Sequence, residues 1–250
     1  MVKLDLVIVS RLALTLCVTG FMACNKPQSP DCFTQAGEAS QELRVLSAFN
    51  EIELHHEIHY SLVDTTFCGV LIEGPQNLID KISATVENNK LKITNENTCN
   101  FVRSFDQLFH VTIYFTNIYQ VDNFSSFLID CPSPIHTPNL HWSNKHANGN
   151  VFLNFITDTI SIDSPTGACD TYLSGLTAVA ELYNDSYGHI NSENLSCNYV
   201  YINNSSLQTI TSKASQYAFV KIESKGNVIL KNQPAQVDFD QQGTGQLIIE

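Results

Sequence analysis

The chain has 250 residues, of which 43% are apolar and only 15% charged, and it carries a formal net charge of −12. That length is enough to bury a full core without support from metals or cross-links. The acidic balance, with no run of Lys or Arg, excludes a nucleic-acid phosphate backbone as partner, because phosphate binding needs a clustered basic face.

Residues 1–23 have the layout of a secretory signal, with Lys3 and Arg11 ahead of an apolar run from Leu12 to Ala23 that is too short for a retained membrane span. The run ends in "GFMAC" and turns abruptly polar, which resembles a bacterial lipobox and makes Cys24 the expected lipidation site. The alternative is ordinary signal cleavage near Ala23. Acyl chains on Cys24 would hold the protein at a membrane, each buried methylene contributing about 0.8 kcal/mol. The expected location is therefore the bacterial envelope, as an outer-membrane lipoprotein that faces either the periplasm or the outside. Residues 24–42 are rich in Pro, Ser and Gln and read as a flexible tether.

Beyond Cys24 come Cys32, Cys68, Cys99, Cys131, Cys169 and Cys197. In an exported protein these predict up to three disulfides, or buried thiols. None forms a CxxC pair, so no structural zinc is expected.

From residue 43 to 115 apolar and polar residues alternate, as in strands that each have one buried face. "ENNKLKI" predicts a hairpin that turns at Asn88 and Asn89, two residues that tolerate left-handed backbone. The stretch "LHHEIHYS" raises a metal question, with three histidines and a glutamate within six positions. The helical zinc-protease spacing His-Glu-x-x-His is missed by one residue, and the neighbourhood is strand. On a strand, His55, Glu57 and His59 share one face, with His56, Ile58 and Tyr60 on the other. Same-face neighbours lie about 7 Å apart, a wide bite for one ion, so a solvated face titrating near pH 6.5 is expected, with no metal.

The region 116–250 carries a period of 20. Leu140, Ile160, Ala180, Val200 and Val220 form one apolar column, and Trp142, Ile162, Leu182, Ile202 and Ile222 form another, with mostly polar residues between them. Asn144, Ser164, Asn184, Asn204 and Ser224 form a third column, small and polar, suited to a bend where side chains stack. Ile190, Ile210 and Leu230 mark a second strand per coil, and "YQVDNF" from Tyr119 joins upstream at a spacing of 21. One coil of 20 residues cannot bury these columns alone, but stacked coils can. The reading is all-β: a β-solenoid, or parallel β-helix, of about six coils, capped by the β region 43–115.

Phe49 and Ile52 near the start, Gly226, Val228 and Pro234 near the end, and the terminal Gly243 and Gly245 complete a recognisable pattern. On these residues the stretch 43–250 resembles the family of the putative auto-transporter adhesin, head GIN domain. Two departures are Asn232 or Gln233 where a glycine often precedes the proline, and Leu230 in place of a tyrosine. The resemblance implies a β-solenoid-like extracytoplasmic module with no established catalytic residues and a suggested role in adhesion; no cofactor is expected.

Other constellations give no catalytic signature. In the stacked column Asp163, Tyr183, Asn203, Glu223 the two acids fall roughly 14 Å apart at the coil spacing, too far for a glycosidase pair. Asp158 with Asp163, and Asp238 with Asp240, are the remaining acidic pairs. There is no Gly-x-Ser-x-Gly elbow and no phosphate-binding glycine loop. Tyr183, Tyr187, Tyr199, Tyr201 and Tyr217 can stack on sugars or partners, or simply pair across strands. The expected function is a non-enzymatic envelope lipoprotein that binds a glycan or an envelope protein. A carbohydrate-active or metal-dependent enzyme on the same scaffold, and a purely structural envelope protein, are the alternatives.

Overall fold

The computed structural model describes residues 35–98 and 109–250. The signal segment, Cys24, Cys32, Cys99 and most of the tether lie outside the described residues. The 19 strands among the described residues belong to one continuous sheet.

Strands β1 (Ala39–Val45), β2 (Glu51–His56), β3 (Ile58–Asp64), β4 (Gly69–Pro75), β5 (Ile82–Glu87), β6 (Lys90–Asn95) and β7 (Phe109–Phe115) form the N-terminal part. The coils follow as β8 (Gln120–Ser125), β9 (Ile129–Asp130), β10 (Ile135–His136), β11 (Asn139–Asn144), β12 (Val151–Ser164), β13 (Thr171–Asn184) and β14 (Ile190–Asn204). The last turns are β15 (Ile210–Ser212), β16 (Tyr217–Ile222), β17 (Val228–Leu230), β18 (Gln236–Gln241) and β19 (Leu247–Ile249).

Two walls run the length of the solenoid. In the first, β6, β2, β8, β11, the second halves of β12, β13 and β14, then β16 and β18 pair in parallel. In the second, β7, β3, β9, the first halves of β12, β13 and β14, then β15, β17 and β19 do the same. Inward residues such as Trp142, Ile160, Leu182, Ile202, Val151 and Ile190 are at most 2% exposed. Each such large apolar side chain contributes about 1.5–3 kcal/mol by leaving water.

The N-terminal end is closed by antiparallel pairing: β1 on β4, β4 on β7, and the β5–β6 hairpin. The hairpin turns at Asn88 and Asn89, whose φ values of 52° and 63° are the left-handed geometry such a turn requires. Arg44 of β1 reaches across, its guanidinium donating to the carbonyls of Ile82 and Ile79, and so covers a strand end that would otherwise face water bare. Strands β2 and β3 enter the parallel walls, so the solenoid stacking begins within the N-terminal β region.

The 20-residue register holds from Leu140 through Ile160 and Ala180 to Val200. The spacing of 21 also holds, with Val121 opposite Trp142 and Asn123 opposite Asn144. At the next coil the register departs from the expected period. Val200 pairs with Ala218, Ile202 with Val220 and Asn204 with Ile222, and Ile210 pairs with Val228, where Leu230 was expected. This coil is two residues shorter. A change of two preserves which side chains face in, so the alternation that reveals strands is blind to it.

The polar column is a buried ladder from Asn144 to Asn204, and Ser224 falls out of it because Ile222 stands opposite Asn204. Asn144, Asn184 and Asn204 are fully buried. Asn144 accepts from Trp142 Nε1 at 2.8 Å and Asn123 Nδ2 at 3.0 Å, and donates to Ser164 Oγ and Thr171 Oγ1. Asn184 and Asn204 each tie down the next bend through the carbonyls of Gly188 and Gln208. Polar side chains survive here because each is satisfied by the coil beside it.

Cys68, Cys131, Cys169 and Cys197 are free thiols, so no disulfide joins the four described cysteines. Burial pushes the Cys131 and Cys169 thiols up to about 12 and Cys197 up to about 11. Such thiols act as small apolar fillers, not nucleophiles.

Candidate binding surface

In the first wall the outward side chains alternate with core residues and fall into columns by register, two of which carry the groove. One is His141, Ser161, Glu181, Tyr201 and Phe219; the other is Ser143, Asp163, Tyr183, Asn203 and Lys221. A groove of about 510 Å³ lies over them, lined by Tyr183, Tyr201 and Phe219 together with Asp163, Glu181, His141, Ser161 and Asn203. Flat strands spaced about 4.8 Å apart are what bring aromatic rings and carboxylates from different coils onto one face.

Within the groove the acids have no basic counterpart from Lys or Arg. The charged carboxylates lining the groove are Asp163 and Glu181, and no Lys or Arg lines it. The cation beside it, Lys221, is held by Glu223 at 2.6 Å. Lys221 and then Ser205 hold the Glu223 carboxyl down at about 2, so that pair stays ionised in any ordinary buffer. Partial burial, then the negative charges of Asp185, Asp163 and Glu223, raise the Tyr183 phenol, which therefore remains a protonated donor. Tyr217 donates to Asp238 Oδ2 at 2.8 Å and its ring lies 5.8 Å from that of Tyr201.

Aromatic faces give apolar contact area, while carboxylates accept hydrogen bonds from hydroxyls. The arrangement suits a neutral hydroxyl-bearing ligand or a cationic one, and repels anions.

The structure sorts the sequence candidates. Tyr183 and Tyr201 enter the groove; Tyr199 and Tyr217 pair in the adjoining column, and Tyr187 is exposed in the turn after β13. Phe219 went unrecognised, because a strict period of 20 sets it beside Tyr199, whereas the short coil sets it beside Tyr201. The aromatic pairs Tyr199/Tyr217 and Tyr201/Phe219, both at a spacing of 18, are the signal that could have found it. Among the acids, Asp163 lines the groove and Asp158 does not. Glu223 leaves the Asp163 column, where Lys221 stands in its place. Asp238 and Asp240 face outward on β18, beyond the groove.

The histidine stretch does not form one strand face. His56 has φ 63° and breaks the chain into β2 and β3 around a corner, leaving His56 and Glu57 exposed. His55 bonds Glu53 at 2.6 Å and stacks on Phe124, His56 Nδ1 accepts from the Asn95 amide, and His59 packs near Phe127. Among the described residues no three His, Cys, Asp or Glu converge to hold an ion. At His56 and His59 the titration is displaced: partial desolvation, then neighbouring His55 or His110, lowers both below the ordinary value.

Comparison with solved structures places the same architecture elsewhere. A putative adhesin from Bacteroides fragilis superposes with a TM-score of 0.78 at 20% identity, over 85% of this chain and 97% of that one. A putative lipid binding protein from Parabacteroides distasonis gives 0.62 at 14% identity, over 86% and 97%. A putative adhesin from the same species gives 0.58 at 17% identity, over 86% and 98%. At these identities the likeness is one of fold. No curated protein matches the chain. The family model described as "Putative auto-transporter adhesin, head GIN domain" matches residues 48–234, and the chain belongs to that family.

Proposed function

We propose that the protein is a non-enzymatic envelope lipoprotein, anchored through Cys24, whose aromatic and acidic groove binds neutral glycan. Membership of an adhesin-head family supports association with the cell envelope or surface. The observation that carries the binding reading is Tyr183, Tyr201 and Phe219 side by side with Asp163 and Glu181 over one 510 Å³ groove. Sugar rings lay their apolar C–H faces on aromatic rings, and their hydroxyls donate to carboxylates. Uronic and sulfated sugars meet Asp163 and Glu181 as like charges.

The test is a glycan array probed with the full chain in detergent, with mass spectrometry of every bound glycan. Binding of neutral members without change in their mass is the expected result. Turnover of a bound glycan defeats the non-enzymatic reading, and binding confined to sulfated or uronic glycans defeats the electrostatic one. For the anchor, metabolic labelling with palmitate is expected to mark wild type and not Cys24→Ala. Unlabelled wild type overturns the lipoprotein reading.

A further inference from the structure

The two ends of the solenoid are built differently. At the N-terminal end antiparallel strands lie over the parallel walls, and β1 and β5, each paired on one side only among the described residues, are bridged by Arg44. At the other end, β18 pairs only with β16 and β19 only with β17 among the described residues. Val237 and Phe239 on β18, and Leu247 and Ile249 on β19, stand in register over the core residues Ala218, Val220, Val228 and Leu230. They point along the core columns, yet Phe239 and Ile249 are 42% and 39% exposed.

The backbone is equally unfinished. The amides of Gln236 and Gln242 donate to Gln216 and Ile222 on the β16 side, and that of Glu250 donates to Leu230. Because amide direction alternates along a strand, the amides of Val237, Phe239, Gln241, Leu247 and Ile249 face the free edge. A long edge with apolar side chains and free amides is a template for another strand.

The outward residues of β18 decide which strand. They are Gln236, Asp238 and Asp240, both acids exposed or half-buried on the edge. Antiparallel pairing with a second copy sets Asp238 against Asp240 or against itself, and like charges directly opposite are destabilising. A strand that alternates apolar and basic residues satisfies both faces. Its apolar side chains cover Val237 and Phe239, and its cations lie beside the carboxylates.

We propose that the edge of β18 and β19 is a docking site for an extended segment of a partner protein with alternating apolar and basic residues. No residue of β18 or β19 lines the groove on the first wall, although Asp238 stands in register beside Phe219, so the docking test is read at the edge amides and not by glycan binding.

The probe is the peptide Lys-Val-Lys-Val-Lys-Val-Lys, titrated against the full chain, with Glu-Val-Glu-Val-Glu-Val-Glu as control. Binding of the basic peptide, with slowed hydrogen exchange at Val237, Phe239 and Gln241, is the expected result. Failure to bind, or protection elsewhere only, overturns the proposal. Phe239→Pro removes an amide that faces away from β16 together with the exposed phenyl ring, while the β16 ladder is kept, and binding is expected to weaken about tenfold or more. Asp238→Lys with Asp240→Lys leaves every backbone bond in place and is expected to reverse the preference toward the acidic peptide; an unchanged preference overturns the charge argument. Sedimentation of the chain alone reads the rival occupant, and a dimer abolished by Phe239→Pro would replace the partner strand with a second copy.

Discussion

Asn144 is where a single side chain does most to align the coils. All four of its hydrogen-bonding positions are used, by Trp142, Asn123, Ser164 and Thr171, in a site with no access to water. Asn144→Leu keeps the volume close but takes a hydrogen bond from each of these four partners, and is expected to cost about 2–4 kcal/mol, read as a lower urea midpoint. A midpoint equal to wild type contradicts the ladder. Asp122 is the charged counterpart: its side chain is 8% exposed and takes Lys145 at 2.9 Å and Lys90 at 3.5 Å. Burial resists its ionisation, but the hydrogen bonds of Lys145 and Gln120 and the charges of Lys145 and Lys90 prevail, and its pKa falls below the ordinary value. A folded pKa below the unfolded one means that its stabilisation is complete above about pH 4 and is lost as the pH falls through the lower, folded value. Asp122→Asn is therefore expected to lower stability at pH 7 by about 1–3 kcal/mol and to flatten the fall in stability below pH 4. An unchanged acid limb in urea titrations contradicts this.

At the scale of the elements, the glycines that carry the family resemblance are contact points between coils. A Cβ on Gly226 would lie 2.1 Å from the Gln208 carbonyl oxygen, and one on Gly245 2.1 Å from that of Gly226. Gly226→Ala is expected to push the last turns apart, with faster hydrogen exchange in β17 and β19 than in β12 and β13; uniform exchange contradicts that. Strand alternation, the hairpin at Asn88 and Asn89, and the columns from Leu140 to Val200 were all legible in the sequence, because each is a local pattern with a fixed period. The shortened coil before β16 was not, since losing two residues leaves the alternation intact. The corner at His56 was hidden for a related reason. A single left-handed residue turns the chain without disturbing the apolar sequence of Leu54, Ile58 and Tyr60.

Over the whole molecule, stacking converts a one-dimensional period into the two surfaces for which binding is proposed. The long wall gathers residues 20 or 18 positions apart into the aromatic and acidic groove, and the last coil leaves an edge with unused amides. Tyr183 and Tyr201 could be named as exposed aromatics from the sequence, but their union with Phe219, Asp163 and Glu181 depends on register across four coils and emerges only in three dimensions. The family and the fold agree, and neither specifies a ligand, because the motif residues Phe49, Ile52, Val228 and Pro234 are buried in the scaffold. The groove is the part that differs from a mere scaffold, and its aromatic floor is what the glycan-binding account depends on. The most direct measurement is the affinity of Tyr201→Ala with Phe219→Ala for the strongest neutral glycan that wild type retains, alongside circular dichroism to verify the fold. The account predicts a loss of about fivefold or more with an unchanged β spectrum, as two stacking contacts of about 0.5–1.5 kcal/mol each are removed; wild-type affinity in the double variant would contradict it.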